Sequence, residues 1–492
     1  MKKLSSYNQI LKSTTILGGS QVFVILIGVI RTKIVAILLG TMGLGVIGVF
    51  YSIIDMMRSN YSLGIDTAGV KEIAEIDSIG NQRLLNITIS RYNLWFRFAA
   101  MAAMLTCVIF SYPISIWTFG NGTYTIYIAC LSISVFLAVL STGRSVILQG
   151  MRKVPALAKS TIIAAFVGLL ITAPLYYFWG IESIAYAYIL TYIASFICVE
   201  FYYRKLKFKL VNITFKEAFK TGRKTLRLGF YILIGGSIST ITMFVVRAYI
   251  TRTIDIHAAG LFQSAWTITN VYLGFVLRSM GSDFFPRLSA ISGQNNEVRK
   301  LVNEQSYMVL VIAPFLIVFL LLFSDIALHV LYSSDFSYAD KVLRWQLFGT
   351  FFKVISWPMA FIMFTKNKGK IYLLSEVLFF VVYLLSSYLL MPKYGLDAVG
   401  FGYFIAYLFY LPMVYIISKK ISLFKWDKNI VIMIIVNLIL VISAFYISHF
   451  YSGKRIIVLG GIVSLLTLAY AYYNLKKVFT FEELKSWFQR RK

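Results

Sequence analysis

The sequence predicts an all-α polytopic membrane protein of about fourteen transmembrane helices, and three observations lead there. Hydrophobic residues fill 59% of the 492 positions, with a mean hydropathy of +0.76. Charged residues fill only 14%, against about 25% in an ordinary soluble chain, too few to cover two to four soluble domains with a polar surface. The 48 Lys and Arg against 20 Asp and Glu, net +28, form no single basic face; they come as short clusters between long apolar runs. That arrangement sets aside nucleic-acid binding, the first reading of such an excess.

A helix needs about 20 mostly apolar residues to cross the hydrocarbon. Runs of that kind lie at 13–39, 43–64, 93–114, 123–147, 156–178, 181–203, 228–254, 258–280, 307–330, 341–364, 371–391, 396–418, 429–449 and 456–474. The first and seventh exceed the bilayer's need, which predicts tilt or a bend. Lys2, Lys3 and Lys12 precede the first run in the manner of a signal peptide. No small-residue cleavage site follows and the run is too long, so an uncleaved first span is expected. Cys107, Cys130 and Cys198 fall inside apolar runs and predict no disulfide framework.

Orientation follows from loop charge, because basic residues are retained on the cytoplasmic side. The stretch 204–227 holds nine Lys or Arg and one Glu. Further basic groups at 152–159, 287–300, 366–370, 419–428 and 476–492 all follow even-numbered spans, whereas 115–122 carries no charge. Both termini are therefore expected in the cytoplasm. Segments 66–91 and 282–306 mix charges with apolar residues at helical spacing and predict amphipathic helices at the cytoplasmic interface; the tail FEELKSWFQRRK is similar and predicts contact with anionic lipid.

The chain also resembles itself. GIESIAYAYILTY from Gly180 matches GLDAVGFGYFIAY from Gly395, and basic pairs follow each, Arg204/Lys205 and Lys419/Lys420. The offset is 215; Gly18-Gly19-Ser20 recurs from Gly235 at 217, and Val29-Ile30-Arg31 recurs from Val245 at 216. A shift of six spans keeps the orientation, so a parallel repeat is expected. It comprises an N-lobe at 1–203, a basic cytoplasmic linker at 204–227 and a C-lobe at 228–418, with two extra spans and the tail at 419–492. Two similar lobes suggest a cavity opening alternately to either side, hence a transporter.

Charges inside spans are costly and face a wet cavity or a partner. Arg31 and Lys33, Asp55 and Arg58, Arg247 and Arg252, and Arg278 lie in spans one, two, seven and eight; Arg144, Lys353 and Glu376 lie in four, ten and eleven. Arg31 and Arg247 occupy equivalent repeat positions. Guanidinium pairs its planar donors with phosphate oxygens, so the mostly basic set favours an anionic substrate over an organic cation. Arg58 and Arg278 near span ends also suit snorkelling to headgroups. Asp55 stands three residues before Arg58, which suits an intrahelical ion pair or a proton or sodium coupling site; Glu376, alone in an apolar run, is the other coupling candidate. His257, His329 and His449 form no metal-ligand set. With no phosphate-binding loop and no nucleotide-binding domain, neither ATP hydrolysis nor covalent catalysis is expected, and no cofactor beyond a coupled proton or sodium ion.

Four pieces carry a family resemblance: the opening LKSTTILGGSQVFVILIGVIRTKIVAILLGTMGLGVIGVF, the SLGIDTAGVKEIAE stretch after span two, the LQGMRKVPALAKS loop after span four, and the six-plus-six-plus-two arrangement of spans. Together they resemble the Wzx-type flippases of lipid-linked oligosaccharides and polysaccharides, in the superfamily that includes the multidrug extrusion (MATE) proteins. The resemblance implies a V-shaped pair of six-helix lobes around a cationic cavity. It also implies translocation of an undecaprenyl-diphosphate-linked oligosaccharide, an O-antigen or similar repeat unit, to the outer leaflet of a bacterial cytoplasmic (inner) membrane. Arg31, Arg58, Arg247 and Arg278 match the positions expected to hold the diphosphate. Membrane lipids and a glycan polymerase are the implied partners, and no nucleic acid is among them. A cation-coupled drug exporter and a peptidoglycan-precursor flippase remain open alternatives. A glycan polymerase or ligase is disfavoured, since the longest outer loop has about ten residues.

Overall fold

A computed structural model describes residues 2–62, 64–366, 368–451 and 453–478; the side chains of 2–18 and of some later positions, Arg278 among them, lie outside the described set. Among the described residues every regular element is helical, as expected of chains whose backbone polar groups must be satisfied internally in lipid. Ten helical stretches are long and apolar enough to cross a membrane, by length and composition.

The chain divides into two compact units. The first, Met1–Gln263 with Leu331–Asp335, contains α1 (Lys2–Tyr61), α2 (Ile65–Ile79), α3 (Gln82–Ile109), α4 (Ser111–Phe119), α5 (Thr125–Gly150), α6 (Val154–Trp179), α7 (Ile184–Arg204), α8 (Phe215–Thr221), α9 (Arg223–Thr253) and most of α10 (Ile256–Trp266). Helix α1 breaks at Gly40, with φ 61 and ψ −160, a region only glycine occupies without strain; the break lies just past the first expected span, 13–39, rather than within it. This single residue joins the first two expected spans. Glycine also brings helices together: a Cβ on Gly45 would meet the Ile256 carbonyl oxygen at 2.1 Å, and one on Gly260 the Thr41 oxygen at 1.9 Å. Such contacts let backbones approach where lipid supplies no hydrophobic drive. Helix α9 packs with this first unit, although the sequence repeat starts its second copy there.

The second unit, Ser264–Val330 with Phe336–Lys492, contains α11 (Leu273–Ala290), α12 (Asn295–Leu322), α13 (Ser324–Leu331), α14 (Asp340–Thr365), α15 (Gly369–Tyr394), α16 (Asp397–Ser422), α17 (Lys428–Phe450) and α18 (Lys454–Val478). A π-turn at Thr267–Tyr272 joins α10 to α11. Helices α14, α16 and α17 interlock through the rings of Trp345, Phe348, Phe401, Phe404 and Phe445.

The repeat is visible in the backbone. Helices α5 and α14 are 26 residues each, displaced by 215 at both ends, and α6 and α15 match in the same way. The glycines that follow the latter pair adopt one conformation, φ 58 and ψ −141 at Gly180, φ 55 and ψ −135 at Gly395. The fourteen expected spans all fall on helices, the seventh and eighth on α9 and on α10–α11, in keeping with the anticipated number.

Two interfacial segments differ from expectation. Segment 66–91 is not one amphipathic helix: Gly80, φ 76, ends α2, and Asn81 caps α3 by accepting from the Leu84 amide at 3.0 Å. Residues 82–91 thus extend the third span, while α2 buries Ile65, Ala68 and Ile73 and leaves Lys71 exposed. Segment 282–306 breaks between Ala290 and Asn295 into the ends of α11 and α12. The linker 204–227 contains α8, started by a Thr214–Glu217 capping box. The basic aromatic tail lies outside the described residues.

Candidate functional site

Asp55 and Arg58, one turn apart near the end of α1, line a cavity of about 590 Å³ in the first unit, within the range of small-ligand pockets. Arg58 Nη2 donates to Asp55 Oδ1 at 2.6 Å, with the side chains 37% and 25% exposed. The intrahelical ion pair is thus formed, and it faces the cavity. The opposite walls come from α2 (Asp66, Val70), α5 (Ser141, Thr142, Ser145, Gln149) and α7 (Tyr192, Ser195). Ser141, Ser145 and Gln149 recur on α5 at four-residue spacing, which places them on one face.

Tyr192 links the charged positions. It lies within electrostatic reach of Arg58, Asp55 and Arg31, and its ring stacks near Tyr188 with centroids 6.3 Å apart. Arg31, half-buried in the first part of α1, acts on Tyr176 of α6 and Tyr188 of α7. Arg247, its repeat equivalent, is placed differently: it is 3% exposed, donates from Nε to Gln263 Oε1 at 3.0 Å and lies over the Phe262 ring at 5.8 Å. It is not among the residues that line the cavity. Arg278 is in α11, with its side chain outside the described set.

Glu376 belongs to a separate network in the second unit. It accepts from the Tyr410 hydroxyl at 2.7 Å and feels the charge of Lys353. Lys353 donates to Asn270 Oδ1 at 3.0 Å and lies 5.9 Å from the Tyr407 ring centroid. The π-turn carries Asn270, a helix irregularity often found at functional positions. The void beside Lys353 is only about 10 Å³.

Two further networks hold charges in place within the first unit. Arg144 donates to Glu200 Oε2 at 2.6 Å, and Arg204 to Glu200 Oε1 at 2.8 Å. Glu72 of α2 accepts from Arg91 at 2.5 Å, from the Tyr92 hydroxyl at 2.6 Å and from Thr225 Oγ1 at 2.6 Å. Burial pushes the Glu72 carboxyl up, but bonds from Thr225 and Tyr92 and the charge of Arg91 outweigh it and hold the group below the usual carboxylate range. Among the described residues no group of His, Cys, Asp or Glu is arranged to hold a metal ion.

The polysaccharide biosynthesis protein family matches residues 34–340, more than half of the chain. The chain belongs to this family. The lipid III flippase of Escherichia coli (strain K12) is 21% identical over 389 residues, covering 78% of this chain and 92% of that protein. Among solved structures, the lipid II flippase MurJ in an inward closed conformation superimposes with a TM-score of 0.73 at 17% identity, covering 93% of this chain and 99% of MurJ. An inward-facing multidrug resistance transporter of the MATE family, in the MOP superfamily, gives 0.67 at 13% identity, covering 84% and 95%. The fold of this family member is therefore MATE-like, that of a multi-pass membrane protein, and its relatives are transport proteins rather than enzymes.

Proposed function

We propose that the protein is a flippase for a lipid-linked glycan precursor. The observation that carries this reading is a roomy polar cavity among membrane-spanning helices, bordered by the intramembrane Arg58, in a chain whose relatives include a lipid III flippase. The substrate we infer is an undecaprenyl-diphosphate-linked repeat unit of a surface glycan, an O-antigen or similar polymer, moved to the outer leaflet of a bacterial cytoplasmic membrane by alternating access. Both termini are placed in the cytoplasm by loop charge. The repeat lobes, 1–203 and 228–418, are the parts we infer to rock, with 204–227 as their linker and 419–492 outside the repeat.

Arg31, Arg58, Arg247 and Arg278 are the proposed diphosphate ligands. Arg31 leads, because it is half-buried beside tyrosines rather than held by a carboxylate. Asp55 and Glu376 are the proposed sites of proton or sodium coupling, and a glycan polymerase is the downstream partner. The second reading is a peptidoglycan-precursor flippase, favoured by the 0.73 TM-score to MurJ.

Proteoliposomes loaded with a fluorescent undecaprenyl-diphosphate oligosaccharide test the proposal. Flipping by the intact chain and its loss, by about tenfold or more, in Arg31→Ala is the expected outcome. Unimpaired flipping by Arg31→Ala removes the assigned role, and transport of lipid II in preference to the oligosaccharide selects the second reading.

A further inference from the structure

Residues 205–222, between α7 and α9, carry five lysines and a single acid, Glu217, which turns back to accept from the Thr214 amide at 3.1 Å. Loop charge puts the segment on the cytoplasmic side. It is not a loose tether: the Val211 amide donates to Ser90 Oγ of α3 at 2.9 Å, and Ala218 of α8 is buried. Its large apolar side chains are nevertheless left uncovered, with Leu210, Val211, Phe215 and Phe219 46–54% exposed. Apolar residues exposed together in this way mark a surface that meets a partner or a membrane.

The position of the patch favours the membrane. Phe98, Met101 and Leu105 recur on α3 at three- and four-residue spacing and are all exposed, the lipid-facing stripe of a helix long and apolar enough to cross the membrane. The Phe215 ring meets Phe98 edge-on, with centroids 5.1 Å apart, so α8 continues that stripe at its cytoplasmic end. Phe219, one turn on, shares the face of Phe215. Lys216 and Lys220 stand beside them at the same four-residue spacing, and Lys207 and Lys209 precede Leu210; all four are exposed. A ring and an ammonium group also pair where α7 ends, with Lys205 Nζ 4.3 Å from the ring centroid of the exposed Phe201.

We propose that residues 205–222 are an anionic-lipid anchor: Leu210, Val211, Phe215 and Phe219 enter the cytoplasmic leaflet beside α3, and Lys207, Lys209, Lys216 and Lys220 take the phosphates of anionic headgroups. Apolar side chains set among ammonium groups bind such a surface by burial and charge together. The long lysine stems reach the headgroups while the rings sit deeper. An acidic protein partner would answer the charges but leave the apolar edge, which continues the lipid face of α3, uncovered. The anchor holds the cytoplasmic rim of the first unit at the leaflet surface, whatever substrate the chain carries.

Hydrogen–deuterium exchange of the full-length protein in phosphatidylcholine nanodiscs, with and without phosphatidylglycerol, tests the anchor. Amides of 205–222 exchange at least about threefold more slowly when phosphatidylglycerol is present. The combined Lys207→Gln, Lys209→Gln, Lys216→Gln and Lys220→Gln variant loses that difference, whereas replacing Lys419, Lys420, Lys425 and Lys428 in the same way leaves it. Phe215→Ser with Phe219→Ser speeds exchange of the segment in both nanodiscs, while α5 exchanges as in the native protein. Equal exchange in the two nanodiscs, a difference that survives loss of the four linker lysines, or its loss with the lysines at 419–428 overturns the proposal. So does exchange undisturbed by the two serines, which places the segment outside the leaflet. No translocation is read, so failure here leaves the flippase reading standing.

Discussion

Two tyrosine pairs 215 residues apart, Tyr188/Tyr192 and Tyr403/Tyr407, stand beside membrane-embedded charges, one pair in each unit, and their surroundings differ. In the first unit Tyr192 looks onto Asp55 and Arg58, which border a cavity of about 590 Å³. In the second, Tyr403 and Tyr407 close around Lys353 with Asn270, and Glu376 is taken by Tyr410. The adjoining void there is about 10 Å³, at the lower limit for one water. The same tyrosine pair recurs in each unit; in the first its neighbouring charges border a cavity, and in the second they are taken up by protein groups. Charge inside a span is therefore not by itself a sign of a binding site, and access is the second requirement.

The largest expected effect concerns a charge locked more completely than either. Glu72→Ala removes the acceptor of three donors and leaves Arg91, 4% exposed, buried without its carboxylate. A loss of about 3–5 kcal/mol is expected, read as a fall in melting temperature of the detergent-solubilised protein. Because the folded carboxyl titrates below its unfolded value, its contribution is complete above the ordinary carboxylate range and disappears as pH falls through the lowered value. Glu72→Gln removes that part of the acid limb of the stability profile; an unaltered limb means that another group governs it.

An intermediate effect is expected from Lys353→Met, which keeps the length of the side chain but removes the donor that Asn270 Oδ1 accepts from at 3.0 Å. About 1–3 kcal/mol is lost, with melting as the readout. The smallest stability effect belongs to Asp55→Asn, about 1 kcal/mol or less, since the pair is partly exposed, yet flipping in proteoliposomes should fall. If Asp55→Asn melts as early as Lys353→Met, the contrast between open and locked charge is wrong; if Lys353→Met alters flipping at full stability, the second unit's network belongs to the working site as well.

Much of this architecture is legible in the sequence because hydrocarbon imposes a strict length and polarity on whatever crosses it. The apolar runs predicted every long helix, and the 215-residue offset predicted matching helix ends at α5/α14 and α6/α15. The Asp55–Arg58 pair followed from three-residue spacing. Tyr192 lies in the repeated segment from Gly180, and its recurrence at Tyr407 is the one signal the sequence carries for it. Ser141 and Gln149 carried none, since serine and glutamine on an apolar helix read as incidental until the neighbouring helices are in place. Arg144 looked like a cavity candidate, and only the fold shows that Glu200, 56 residues later, already holds it. Arg31 and Arg247 look equivalent by offset, but side-chain surroundings are not inherited with position, and Gln263 claims only the second.

Gly40, Gly180 and Gly395 share one left-handed conformation, and each turns the chain within a residue or so between consecutive long helices. Nothing lies within 4 Å of a Cβ built on any of them, so the constraint is torsional, not steric. A joint that short ties the facing ends of its two helices together, so they cannot slide apart, while glycine leaves the angle between them as the adjustable quantity. Labels at the far ends of the two parts of α1, of α6 and α7, or of α15 and α16 would therefore read a change of angle about a fixed point.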